Sequence, residues 1–170
     1  ARDGGALWPA PGGDCLATQA ILGALGVQVD VHDSATLTVH GRGLRGLQPP
    51  VAPLNCVRSG TTTRLLAGIM AGQSFDSILT GEEQLLKRPM SRIAEPLRNM
   101  GAEIETTEGR APLYIKGRPL YGYAHKMAVA SAQLKSALLL AGLFADSPTS
   151  VWEPGPARDH TERLLSSMGA

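Results

Sequence analysis

The chain has 170 residues, and 16 basic against 15 acidic side chains leave a formal net charge of +1. That length suits one domain, and the near-balance of charge excludes the broad basic surface of a nucleic-acid binder. Hydrophobic residues at 43% argue for a globular chain, and aromatics at only 4% leave the core to Leu, Val, Ile and Ala.

In chain order, Asp14 to Leu25 carries apolar residues at Leu16, Ala17, Ala20, Ile21, Ala24 and Leu25. That stripe predicts a helix, with Gly26 as its C-terminal stop. Val27, Val29 and Val31 alternate with polar neighbours as a strand, Asp33-Ser34 reads as a turn, and Leu37 and Val39 begin a second strand. Strand-like Ala52 to Cys56 leads to a helix over Thr61 to Ala71, and Ser74 to Thr80 is the next strand. Ser91 to Met100 then repeats the first pattern, with Gly101 as the stop, Ala102 to Thr106 as a strand, a turn at Glu108-Gly109-Arg110 and a strand at Leu113 to Ile115. The segment Met127 to Ala130 precedes a helix over Ala132 to Phe144, which has almost no polar face and is expected to be buried all round. Strand Ser150 to Glu153 and helix Asp159 to Met168 follow, the latter stopped by Gly169.

The three stop glycines, Gly26, Gly101 and Gly169, lie 75 and 68 residues apart. This spacing predicts repeated β-α-β-α-β-β units, with sheets outside and helices buried between them. The fold class is therefore α/β, a single lobe over residues 1–170 with an incomplete repeat over 1–46, a complete one over 47–118 and an incomplete one over 119–170. The first is expected to lack its opening βαβ part and the third its closing hairpin.

Several segments carry candidate chemistry. Gly41-Arg42-Gly43-Leu44-Arg45-Gly46 matches a dinucleotide fingerprint in letters, but Pro49, Pro50 and Pro53 leave no helix to receive a pyrophosphate, so it reads as a loop. Asn55-Cys56-Val57-Arg58-Ser59-Gly60-Thr61 joins a strand to a helix start. There Gly60 admits a close ligand and free N–H groups suit an anion, while a plain Ser/Thr N-cap explains the same letters. Lys87 and Arg88 before Pro89 read as cations at a helix start, against the macrodipole, and call either for an anionic ligand or for solvent. Ser131-Ala132-Gln133-Leu134-Lys135-Ser136 opens the buried helix with polar groups that need internal partners or a polar ligand. Arg158-Asp159-His160-Thr161 opens the last helix, with Asp159 and Thr161 as candidate caps. Brought to one surface, these starts would bind a substrate with more than one anionic group, and Arg58, Arg64, Arg88, Lys135 and Arg158 are the cations available to it. Cys56 reads either as a nucleophile or as a small buried strand residue.

Other classes are not favoured. No stretch reaches the length of a membrane span, the first five residues lack a signal-peptide layout, and no starting Met is present. Cys15 and Cys56 are isolated thiols that fit a reducing cytosol, and no Cys/His pair has zinc spacing. No Ser/His/Asp order or nucleophile elbow is visible.

Four blocks together resemble 5-enolpyruvylshikimate-3-phosphate synthases: Asn55-Cys56 through Ser59-Gly60-Thr61-Thr62 and Arg64-Leu65-Leu66; Thr80-Gly81 through Lys87-Arg88-Pro89-Met90; Ser131 through Leu143; and Arg158-Asp159-His160-Thr161-Glu162. The resemblance covers nearly the whole chain but only most of one lobe of a two-lobed enzyme. It implies an inside-out α/β fold and a cytoplasmic transferase of the shikimate pathway, in aromatic amino-acid biosynthesis. Such enzymes transfer the enolpyruvyl group of phosphoenolpyruvate to the 5-hydroxyl of shikimate 3-phosphate, with no metal or organic cofactor. It further implies that Ser131, Ala132, Gln133 and Arg158 bind shikimate 3-phosphate. Gly60 and Arg88 would hold phosphoenolpyruvate, where glyphosate would compete. Val57-Arg58 departs from the family's usual Gly-Asn. The family's N-terminal Lys-Ser...Arg segment is absent, as are the acid/base aspartate, glutamate and lysine of the other lobe. The implied catalytic set within this chain is therefore empty, and the chain is expected to bind shikimate 3-phosphate weakly, without turnover, until joined by the second lobe. The rival readings are a lobe like UDP-N-acetylglucosamine enolpyruvyl transferase and a non-catalytic phosphate-binding module.

Overall fold

The computed structural model describes residues 4–7, 12–33 and 36–170. Ser34 of the expected turn lies outside the described residues, as do residues 1–3. Among the described residues, three sheets flank the helices. The first joins β1 (Gly4–Leu7), β3 (Thr36–Val39) and β2 (Val29–Val31), in that order and antiparallel throughout. The second runs β4 (Leu54–Asn55), β5 (Ser77–Thr80), β7 (Arg110–Lys116) and β6 (Glu103–Thr107), with only β4 and β5 parallel. The third pairs β8 (Ala124–Lys126) with β9 (Ser150–Trp152) in parallel.

The helices are α1 (Gly13–Ala24), α2 (Gly60–Ala71), α3 (Glu83–Leu86), α4 (Ser91–Asn99), α5 (Ala132–Gly142) and α6 (His160–Ser167). The three stop glycines adopt φ of +81°, +90° and +84°, a left-handed conformation that only glycine enters at little cost. One local device therefore ends α1, α4 and α6. The β6–β7 turn puts Glu108 and Gly109 at φ +52° and +73°, the geometry that matches the strand twist of a tight hairpin.

The pairing pattern also recurs. Strand β1 pairs antiparallel with β3 as β5 pairs with β7, and parallel β8–β9 has its counterpart in β4–β5. Strand β1 was not expected: four residues of Gly-Gly-Ala-Leu carry almost no strand propensity, and the edge of β3 supplies the structure. The first unit thus contains a strand ahead of its helix. Several expected strands differ in extent: β5 starts at Ser77, later than Ser74, and β7 extends beyond Leu113 to Ile115 at both ends. The segment 52–56 is a strand only at Leu54–Asn55, and the strand ahead of α5 is Ala124–Lys126, which ends before the segment Met127 to Ala130. Pro53 cannot donate to a ladder, which confines β4.

The core sits between α2, α4, α5 and the second sheet. Its largest fully buried side chains are all Leu, Met or Ile, including Met70, Met90 and Met100. Methionine takes the volume expected of valine, filling irregular gaps where aromatics are scarce. Helices α2 and α5 pack closely because a Cβ at Gly68 would run into the Ala137 carbonyl. No residue of α5 is exposed, as its sequence requires, and α2 is buried almost as completely. The loop at 40–53 opens no helix. Arg42 donates to the Gly26 carbonyl at 3.0 Å and Arg45 to the Gly72 carbonyl at 2.6 Å, so its arginines bind backbone. Among the described residues, no helix is long and apolar enough to cross a membrane.

Candidate anion-binding site

Helices α2 and α5 open side by side. Ser59 caps α2, accepting from the Thr62 N–H at 3.1 Å, and Ser131 caps α5, accepting from the Leu134 N–H at 3.4 Å. Both caps hold extended backbone, so the first N–H groups of each helix point outward without intrahelical partners. Each site therefore combines free donors with the positive end of a helix.

Side chains join the two ends. Gln133 reaches from α5 to α2, where its Nε2 donates to Thr61 Oγ1 at 2.8 Å. Its Oε1 accepts from Arg64 Nη1 at 2.6 Å. Arg64 also donates through Nη2 to the Pro89 carbonyl at 3.4 Å, which draws in the α3–α4 link. Arg88 of that link lies over Gly60: a Cβ there would be 2.7 Å from Arg88 Nη1 and 3.1 Å from Arg64 Nη1. Glycine at position 60 lets the two guanidinium groups occupy the space that a side chain would take.

Gly60, Arg88, Ser131, Ala132 and Gln133 are thus brought together from three segments. Arg158 is exposed on the β9–α6 link, and no hydrogen bond or ion pair joins it to this cluster among the described residues. The link itself is anchored to α5. Lys135 Nζ meets Glu153 Oε1 at 2.7 Å and Glu162 Oε1 at 2.6 Å, and Ser136 bonds Thr161 at 2.7 Å. Burial alone would lower the Lys135 pKa, but its two carboxylate partners outweigh burial and raise it.

The charge of the cluster is one-sided. Arg64, Arg88 and Arg92 make no ion pair among the described residues, and the first turn of α4 holds no acid. Burial, then Arg92 and Arg88, push Arg64 below the usual arginine range, although a guanidinium remains protonated at neutral pH. Three cations without a carboxylate suit an anionic ligand.

Several expectations need correction. Lys87 and Arg88 are not at a helix start: Lys87 caps the C-terminus of α3, where a cation is favourable, and pairs with Glu83 at 2.6 Å. Pro89 is not the first residue of α4, which begins at Ser91; it bridges to Arg110. Arg58 and Lys135 leave the anion face, because Arg58 meets Glu82 at 2.8 Å and Lys135 is held internally. Asp159 holds the N-cap position of α6, but its carboxylate pairs with Arg163 at 2.7 Å and makes no capping bond, and Thr161 lies inside the helix and bonds Ser136. Cys56 is fully buried and burial pushes its thiol up, away from the reactive thiolate. The bridging position of Arg64 and the presence of Arg92 were not legible beforehand. Their signal was an arginine one turn after Gly60 in an otherwise apolar helix.

Residues 9–170 match the family model for EPSP synthase (3-phosphoshikimate 1-carboxyvinyltransferase). A 3-phosphoshikimate 1-carboxyvinyltransferase from Acidithiobacillus ferrooxidans is 57% identical over 158 residues, which are 93% of this chain and 36% of that protein. Its counterpart from Methylococcus capsulatus is 56% identical, over 92% of this chain and 36% of its own length. The chain therefore spans about a third of the length of these curated relatives. The structure of EPSP synthase from Acinetobacter baumannii superposes with a TM-score of 0.95 at 45% identity, over 98% of this chain and 38% of the other. Matching over almost all of its length in sequence and in fold, the chain belongs to the EPSP synthase family.

Proposed function

We propose that this chain is a substrate-binding lobe of a 3-phosphoshikimate 1-carboxyvinyltransferase, acting in the cytoplasm on the shikimate pathway. Shikimate 3-phosphate is held by the Ser131 hydroxyl, the Ala132 N–H, the Gln133 amide and Arg158. Phosphoenolpyruvate is held at Gly60 and by Arg88. The observation that carries the reading is the pairing of two capped helix starts with arginines that no carboxylate neutralises among the described residues. A substrate pair bearing two phosphates and two carboxylates supplies the missing negative charge.

In the reaction, the 5-hydroxyl oxygen bonds to C2 of the enolpyruvyl group while its proton leaves and C3 gains one. The tetrahedral adduct then loses a C3 proton and inorganic phosphate. Both steps need groups that take and give protons. Arginine, serine and an amide at this site orient and neutralise charge but do not exchange protons at neutral pH. The lobe thus binds, and the partner lobe completes the chemistry.

The test is titration of the chain with shikimate 3-phosphate, phosphoenolpyruvate and UDP-N-acetylglucosamine, followed by amide shifts, with a parallel assay of phosphate release. Weak binding of shikimate 3-phosphate, none of the UDP-sugar and no phosphate release are expected. Sustained phosphate release by the chain alone would overturn the half-site reading, and preference for the UDP-sugar would overturn the substrate.

A further inference from the structure

Arg64 belongs to none of the binding assignments above, yet it is the residue on which the three segments meet. It is 5% exposed, and its Nε is buried without a hydrogen-bond partner among the described residues. Burying a guanidinium without a carboxylate is costly, so simple packing is a poor reason for it. Its contacts are selective. The bond to Gln133 Oε1 is short at 2.6 Å, and the one to the Pro89 carbonyl is long at 3.4 Å.

The value of the short bond lies in the symmetry of an amide. The two ends of Gln133 are alike in shape, one accepting and the other donating. Thr61 Oγ1, its other partner at 2.8 Å, can accept or donate and cannot tell the ends apart. A guanidinium only donates. Arg64 therefore admits only the oxygen end of Gln133, which turns the NH2 toward Thr61 and leaves its second proton for a ligand oxygen.

We infer that Arg64 is a positioning residue that fixes the orientation of the Gln133 amide, so that the site presents a donor, not an acceptor, to an anionic substrate. The inference rests on the proposed substrate site only for its effect on affinity; the amide orientation belongs to the free chain. A plain structural role predicts something different. A staple would be missed by the fold when removed, whereas replacing an uncompensated buried charge by an apolar side chain of similar volume is often neutral or stabilising.

The experiment uses the 15N-labelled chain, with the Gln133 side-chain NH2 pair assigned by comparison with Gln133→Ala. In Arg64→Met the pair is expected to move and broaden toward an averaged position, in Arg64→Lys it is retained, and the unfolding midpoint of Arg64→Met stays at or above that of the parent. A Gln133 pair unmoved in Arg64→Met overturns the inference. Should that variant fail to fold, Thr61→Val decides the point: with Arg64 present the pair stays dispersed, and its collapse overturns the inference. Titration with shikimate 3-phosphate is the second arm. Arg64→Met is expected to weaken binding about tenfold in the parent and less than about twofold in the Gln133→Ala background, the coupling expected of residues in contact. Equal losses in both backgrounds overturn the inference. A parent chain with no affinity for shikimate 3-phosphate would instead overturn the substrate reading, while the amide result still decides the role of Arg64.

Discussion

Replacing Gly60 with alanine separates the stability of this site from its binding. The added Cβ would lie 2.7 Å from Arg88 Nη1 and 3.1 Å from Arg64 Nη1, against ordinary contacts of 3.4 Å or more. Arg88 is exposed and can swing away, so most of the overlap is relieved by its tip. Arg64 is held by Gln133 at 2.6 Å and has little room to yield. On the other side of the balance, alanine in a helix gains up to about 1 kcal/mol over glycine, less in a first turn. The two effects leave stability within about 1 kcal/mol of the parent. Binding is affected more. A charge-assisted hydrogen bond contributes about 1.5–3 kcal/mol, and a guanidinium displaced from the Gly60 turn forfeits that contact. At about 1.4 kcal/mol per tenfold, phosphoenolpyruvate affinity falls by roughly 10- to 100-fold. Affinity for shikimate 3-phosphate, proposed to bind at the α5 start, is expected to change by less than about threefold. Denaturant unfolding gives the first quantity and amide-shift titration with each ligand the others. Unchanged phosphoenolpyruvate affinity in a stable variant would refute the placement of its anion at Arg88. Equal loss for both ligands would refute the separation of the two subsites.

Three further outcomes follow from the same geometry. Val57 has φ +53°, a left-handed conformation in which a β-branched residue is strained, so Val57→Gly is expected to raise stability by about 1 kcal/mol in denaturant unfolding despite glycine's greater chain entropy. Lys135→Met leaves Glu153 and Glu162 together without their cation; breaking such a buried group costs about 3–5 kcal/mol, reduced here to about 2–3 because Glu162 is a third exposed. The Lys135 pKa is raised in the fold, so its contribution is whole below the unfolded value of 10.5 and is lost as pH rises through the folded pKa. The stability gap between parent and Lys135→Met should then be flat from neutral pH and shrink above 10.5; a gap that widens there would reverse the sign. Finally, Arg92→Gln removes one exposed cation of the three, and phosphoenolpyruvate affinity is expected to fall about threefold at low salt and hardly at all at 0.5 M or so, where screening already hides it.

The features legible in the sequence are those whose cause is local. Gly26, Gly101 and Gly169 ended their helices because an αL stop depends on one residue and the turn before it. The apolar face of α5 announced its burial, and Ser59 and Ser131 announced two caps. The family was legible because its blocks are short runs of neighbouring residues. The strand at Gly4–Leu7 was not, since its residues favour no strand until β3 offers an edge. Nor were the ion partners of Lys135, which stand 18 and 27 residues away, or the bond from Arg64 to Gln133 across 69. Reading Arg88 along the chain put it at a helix start against the macrodipole, whereas the fold turned it over Gly60. Which residue types could bind an anion was thus decided by the sequence itself. Which cations remain unpaired was decided by the tertiary structure, because neutralisation depends on carboxylates that approach through space, and those found Arg58 and Lys135 but not Arg64, Arg88 or Arg92.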